Sequence, residues 1–195
     1  MSGGPALSFQ EVLITAQGDG AALANSTTPT SLLPAAARFT LASNFFANVG
    51  KQIRIRARGR VSTVVTTPGT LTLDVRLGTV ASPIVVFNGG AMNLNTTAQT
   101  NATWAFEADL VCRAIGSGTA AQLLGAGRWT SRALIGSAAV ASGYPGSALL
   151  PDTAPAVGSG FDSTITNVVD LFATWSVANA ANSITLHQFS LESLN

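Results

Sequence analysis

The chain has 195 residues, enough for one domain with a sizeable core, and only 10% of them are charged, against about 25% in ordinary soluble domains. Ten basic and nine acidic residues leave a net charge of +1, so no whole-molecule field draws the protein to nucleic acid. A single cysteine excludes an intrachain disulfide, and no stretch approaches the roughly 20 apolar residues of a membrane helix.

Such low charge is unusual for a dispersed monomer and points to surface buried in an assembly. One Lys stands against nine Arg, a bias shared by interface cores, where the weakly hydrated, planar guanidinium is favoured. The start "MSGGPALSFQ" lacks the basic and apolar regions of a secretory signal, so the expectation is a soluble protein made in a cytoplasm.

Along the chain the pattern is mostly of period two. "SFQEVLIT" (8–15) alternates as a first strand. "AQGDGAALANSTTPTSLLPAAA" (16–37), with Gly-Asp-Gly and two prolines, reads as an arm or long ordered connection. Residues 1–37 are therefore set apart from a domain at 38–195.

"KQIRIRARGRVSTVVT" (51–66) is a long strand. "TPGT" (67–70) suits a type II turn, with Pro68 before Gly69. "LTLDVRLG" (71–78) returns, with Leu71, Leu73, Val75 and Leu77 on one face. "SPIVVFNGG" (82–90) and "AMNLNTT" (91–97) read as two short strands.

"NATWAFEADLVCRAIG" (101–116) places Trp104, Phe106, Ala108, Leu110, Cys112 and Ala114 on one face, and Glu107, Asp109 and Arg113 on the other. "AAQLLGAGRWTSRALIG" (120–136) reads as two strands around "GAGR". Residues 137–160, with three prolines and no period, are long for a connection and read as a contact element. "STITNVVDLFATWSVA" and "NSITLHQFSLESL" are the last strands, joined by "NAAN". In the latter, Ile184 and Leu186 share one parity while Phe189 and Leu191 share the other, which predicts a bulge at His187–Gln188.

The reading is thus all-β: a jelly-roll-like antiparallel β-sandwich of about eight strands with an extended N-terminal arm.

Chemistry-bearing motifs are sparse. One His and one Cys do not make a zinc site of the usual kind, and there is no Gly-x-Ser-x-Gly. Cys112 lies in an apolar run, so it reads as core. Glu107 and Asp109 share a strand face, but a charged outer face pairing with arginines explains them better than a glycosidase pair. No catalytic residue, metal or cofactor is expected.

What remains is "KQIRIRARGR" (51–60), which holds five of the ten positive charges. Arg54, Arg56, Arg58 and Arg60 alternate over roughly 20 Å of strand. No aromatic residues interleave to stack bases, so direct nucleic-acid binding is not expected. Beyond Ala133 there is no Lys or Arg, while Asp152, Asp162, Asp170 and Glu192 lie there, so basic and acidic regions can meet within or between subunits.

The facing of the ladder is open. A symmetric hairpin around Pro68–Gly69 would set Arg60 opposite Leu77 and so align the arginines with a core face. Either Gly59 is a bulge that turns Arg54, Arg56 and Arg58 outward, or the arginines extend the core face toward another subunit. Both solutions require carboxylates nearby, and Arg54, Arg56, Arg58, Arg60, Glu107 and Asp109 are the candidate interface residues.

The stretches "FTLASNFFANVGKQIRIRARGRVS", "TTPGTLTLDVRLG", "FNGGAMNLNTTAQTNATW" and "VVDLFATWSVANAANSITLHQFSLESLN" resemble small virion structural proteins of tailed bacteriophages. The resemblance implies a jelly roll that serves as a cement (decoration) protein, a homotrimer bound to the major capsid protein. It also implies a place in the virion, assembled in the bacterial host cytoplasm. Residues 1–37 and 137–160 would then make the capsid or neighbour contacts. The same fold serves tail-fibre and receptor-binding tips, for which "GRWTSR" and Trp175 would offer a platform for host surface carbohydrate. Packing of Trp104, Trp129 and Trp175 in the core is the favoured reading.

Overall fold

The structure is a computed structural model that describes residues 10–137, 146–154 and 156–194. The described residues form β1 (Gln10–Thr15), β2 (Leu23–Ala24), β3 (Thr30–Ser31), β4 (Phe39–Leu41), β5 (Gln52–Thr63), β6 (Thr70–Gly78), β7 (Pro83–Leu94), β8 (Gln99–Ala114), β9 (Gln122–Ser131), β10 (Leu134–Ser137), β11 (Ser147–Leu150), β12 (Asn167–Trp175) and β13 (Ser183–Leu194). One 3-10 turn, Ala35–Ala37, interrupts them.

All pairings between these strands are antiparallel, in two sheets packed face to face. One runs β1-β13-β5-β8-β9-β11, with β2 also on β13; the other runs β10-β7-β6-β12-β3, with β4 also on β12. Eight of these strands trace a jelly roll. Numbered by themselves in chain order (β1, β4, β5, β6, β7, β8, β12, β13), they lie 1-8-3-6 in one sheet and 2-7-4-5 in the other. The about eight strands expected are this framework. The other five are short additions in the β1–β4 connection and an insertion, β9 to β11, between the sixth and seventh framework strands.

Alternation builds the core. In β5, Ile53, Ile55, Ala57 and Val61 point inward between the arginines; in β8, Ala102 through Cys112 do so at every second position. Trp104, Trp129, Trp175, Phe106 and Phe161 are the largest fully buried side chains. Each such ring contributes up to about 4–6 kcal/mol of gross hydrophobic free energy. Phe87 of one sheet lies against Gly125 of the other, where an added Cβ would stand 2.2 Å from the ring.

Several expectations are corrected. β5 and β6 are not a hairpin: β5 pairs with β13 and β8, and β6 with β7 and β12. Gly69 has the expected positive φ of 73°, but its turn carries the chain from one sheet to the other. Buried Asn182 fixes that crossing, accepting from the Val64 N–H and donating to the Pro68 carbonyl, both at 2.9 Å. Without the hairpin, the conflict over the arginines disappears. Burial alternates through Gly59 without a break, so Gly59 is no bulge. "GAGR" is not a turn but lies within β9, and the two strands expected at 82–97 are one, β7, with irregular register against β6. The register shift between Leu186 and Gln188 does place a bulge at His187.

Residues 10–37 lie against both sheets. β1 pairs with β13, Gly20 N–H donates to Leu186 O, Leu32 N–H donates to Leu171 O, and Leu23, Leu32 and Leu33 are buried. Of the contact element expected at 137–160, residues 138–145 and 155 lie outside the described residues. Residues 147–150 form edge strand β11 on β9, and Gly158 and Ser159 donate to Leu123 of β9 and Val85 of β7, linking the sheets.

Candidate interaction face

The outer face of the larger sheet gathers the sequence-predicted residues. Register sets them in rows across β13, β5, β8 and β9. Arg54 lies between Glu192 and Asp109, Arg56 between Ser190 and Glu107, Arg58 between Gln188 and Ala105, and Arg60 between Thr185 and Thr103. Arg128 of β9 stands beside Glu107, and Thr130 beside Ala105.

The first two rows are neutralised. Arg54 donates through Nε and Nη2 to the two oxygens of Asp109, at 2.6 and 2.8 Å. This paired bond, reinforced by Glu107 and Glu192, raises the Arg54 pKa above its ordinary value. Arg56 bridges two strands, reaching Glu107 at 3.1 Å and Glu192 at 2.8 Å. Glu192 is only 4% exposed and also accepts from the Gln10 amide of β1. The basic first half and acidic last third thus meet inside one subunit, also where Arg38 stands 3.0 Å from Asp170.

Four further arginines on this face lack such partners. Arg58, Arg60, Arg128 and Arg132 are exposed. Among the described residues no carboxylate lies within ion-pair distance of any of them. Arg60 donates to Thr103 Oγ1 and Asn101 O, and Arg132 to Thr100 O, so neutral acceptors orient these two guanidinium groups. Sequence reasoning found the β5 ladder but missed Arg128 and Arg132, because nothing local ties β9 to β5 across the intervening β8.

The other candidate groups are placed elsewhere. Cys112 is fully buried, burial pushes its thiol pKa up, and Sγ donates to Ala114 O at 3.3 Å. His187 sits on its bulge with Nδ1 2.9 Å from Asp19. Asp74 and Arg76 pair on β6 in the opposite sheet, with the guanidinium stacked 4.1 Å from the Phe172 ring centre. All three tryptophans are at most 1% exposed, which removes the stacking platform expected of "GRWTSR" and Trp175. Trp104 Nε1 donates to Arg60 O and Thr185 O, while the Trp129 indole N–H has no partner among the described residues.

No protein-family model matches the chain, and no curated protein matches its sequence. Among solved structures it is similar to the CBM2 module of the evolved Dit of Lactobacillus casei BL23 phage J-1, with 10% identity, 97% of this chain and 98% of that chain covered, and a TM-score of 0.34. It is also similar to the winged bean acidic lectin complexed with methyl-α-D-galactose, with 8% identity, 96% and 99% coverage, and a TM-score of 0.33.

Proposed function

We propose that the chain is a non-enzymatic structural protein of a tailed-phage virion, a cement protein that binds the major capsid protein as a homotrimer. The observation that carries this reading is the outer face of the larger sheet. In a chain with so few charges, seven arginines stand there, Arg113 of β8 among them, against Glu107, Asp109 and Glu192, and among the described residues only Arg54 and Arg56 have a carboxylate within ion-pair distance. A face of this kind suits contact with another protein's acidic surface. The jelly roll and the sequence resemblance to phage virion proteins support the same reading.

The alternative, a tail tip that stacks host sugars on tryptophan, loses its support because the indoles are in the core.

Quantitative mass spectrometry of purified virions tests the proposal. A copy number comparable to that of the major capsid protein is expected. A handful of copies per particle would move the protein to the tail.

A further inference from the structure

Arg58, Arg60, Arg128 and Arg132, none with a carboxylate within ion-pair distance among the described residues, frame a trough. Its floor is the outer side of β8, where Thr103 and Ala105 present small side chains, with Thr130 of β9 beside them. One rail is Arg58 and Arg60 on β5. The other is Arg128 on β9 with Arg132 just beyond that strand's end. The rails stand two strand spacings apart, about 10 Å. Two neighbouring hollows of about 590 and 130 Å³, sharing Ala105 and Thr130 in their linings, lie along this floor. Glu107 lines one end, and Asn101, Arg132 and Gly146 line the other.

We infer that this trough binds an extended acidic segment of a partner polypeptide, lying along β8 with its carboxylates directed at the two arginine rails. The inference rests on the reading of this face as the contact surface with the capsid. Three observations select the occupant. Alternate side chains of an extended strand are about 7 Å apart, which matches the spacing of Arg58 and Arg60 along β5. Two of the guanidinium groups are held in place by neutral acceptors, leaving their charge and further N–H donors for a carboxylate. Stacking recognition of a neutral sugar or a nucleobase needs an exposed ring, and the nearest indoles, Trp104 and Trp129, are buried beneath the sheet. Glu107 repels a carboxylate and so sets where the segment stops.

The test is fluorescence anisotropy on the full chain with a labelled peptide of alternating Glu and Ser, about eight residues long so that it spans the trough. Binding that weakens with added salt is expected. Arg58→Gln and Arg128→Gln, each removing a guanidinium with no carboxylate within ion-pair distance among the described residues, should weaken it about fivefold singly and at least about tenfold together. Arg113→Gln, on the same strand face beyond Asp109, should leave it unchanged, as should the melting temperature in all variants.

No binding at low salt, or equal loss in Arg113→Gln, overturns the inference. So does tighter competition by an oligoglucuronate or an oligothymidylate of equal charge, which would make the trough a polysaccharide or nucleic-acid site. So does self-association that Arg58→Gln and Arg128→Gln abolish, which would make a second copy the occupant. Copy number on native virions is read independently: high copy number without peptide binding removes only the trough, and peptide binding at low copy number removes only the cement reading.

Discussion

At Gly59, a Cβ would lie 1.9 Å from the Thr185 carbonyl oxygen and 2.9 Å from Trp104 Nε1. The glycine lets the buried indole reach the Arg60 and Thr185 carbonyls across the middle of the sheet. Gly59→Ala should cost about 3 kcal/mol, the upper range of core overpacking, measured by urea denaturation. Gly18→Ala, with nothing within 4 Å, should change stability by less than about 0.5 kcal/mol. Equal stabilities would show that β13 yields at no cost. The residue pattern divided β5 into an arginine face and a face of Ile53, Ile55 and Val61, but it left open which one met the core, because the assumed hairpin with β6 set Arg60 opposite Leu77. It did not make the reason for Gly59 legible. A glycine inside a strand marks either a bulge or a close approach, and the approaching group, Trp104, is 45 positions away in sequence.

On β12, Asp170 points out of the sandwich yet is 5% exposed, because the chain between β3 and β4 covers it. The Ser31 hydroxyl and the Leu171 N–H donate to it, and Arg38 stands at 3.0 Å. Burial nevertheless raises its pKa above the ordinary 3.8. A carboxyl with a raised pKa holds its proton more tightly folded than unfolded. Its contribution to stability is therefore full below the unfolded value and declines as pH rises through the folded one. Asp170→Asn lacks this decline, so the urea midpoint of the variant relative to wild type should climb as pH rises above 3.8 and then level off. A difference that is flat, or that grows toward acid, would refute this. The existence of most strands was legible from period two, and their partners were not. "TPGT" has the same turn chemistry whether the chain reverses into a hairpin or crosses to the opposite sheet, and in a jelly roll it crosses. The split of β7 and the turn at "GAGR" fail for a related reason: glycines at 89, 90, 125 and 127 read as punctuation, while all four lie inside strands.

For the whole molecule, low charge and a half-neutralised basic face argue that the isolated subunit is incomplete. Light scattering at micromolar concentration should give three times the 19.8 kDa of the chain, and a monomer would count against the trimer. Edge strand β11 adds to the same argument, since Leu149 is 64% exposed beside the arginine face. Composition made an assembly legible as an expectation. The β5 half of the face could be read as well, but its β9 half emerged only once the topology had set β8 between two arginine-bearing strands.

The pairing of β1 with β13 has a mechanical consequence. Gln10 lies opposite Leu194, with the two strands antiparallel, so the described chain begins and finishes at one corner of the sandwich. A tether pulling these two ends apart would load the rungs singly and peel β1 from β13 like a zip. The same force applied between the β1 end and the far end of β5 would load many rungs at once. Resistance to strain thus depends on where the molecule is held, and attachment through the sheet face would spare the corner where the seam opens.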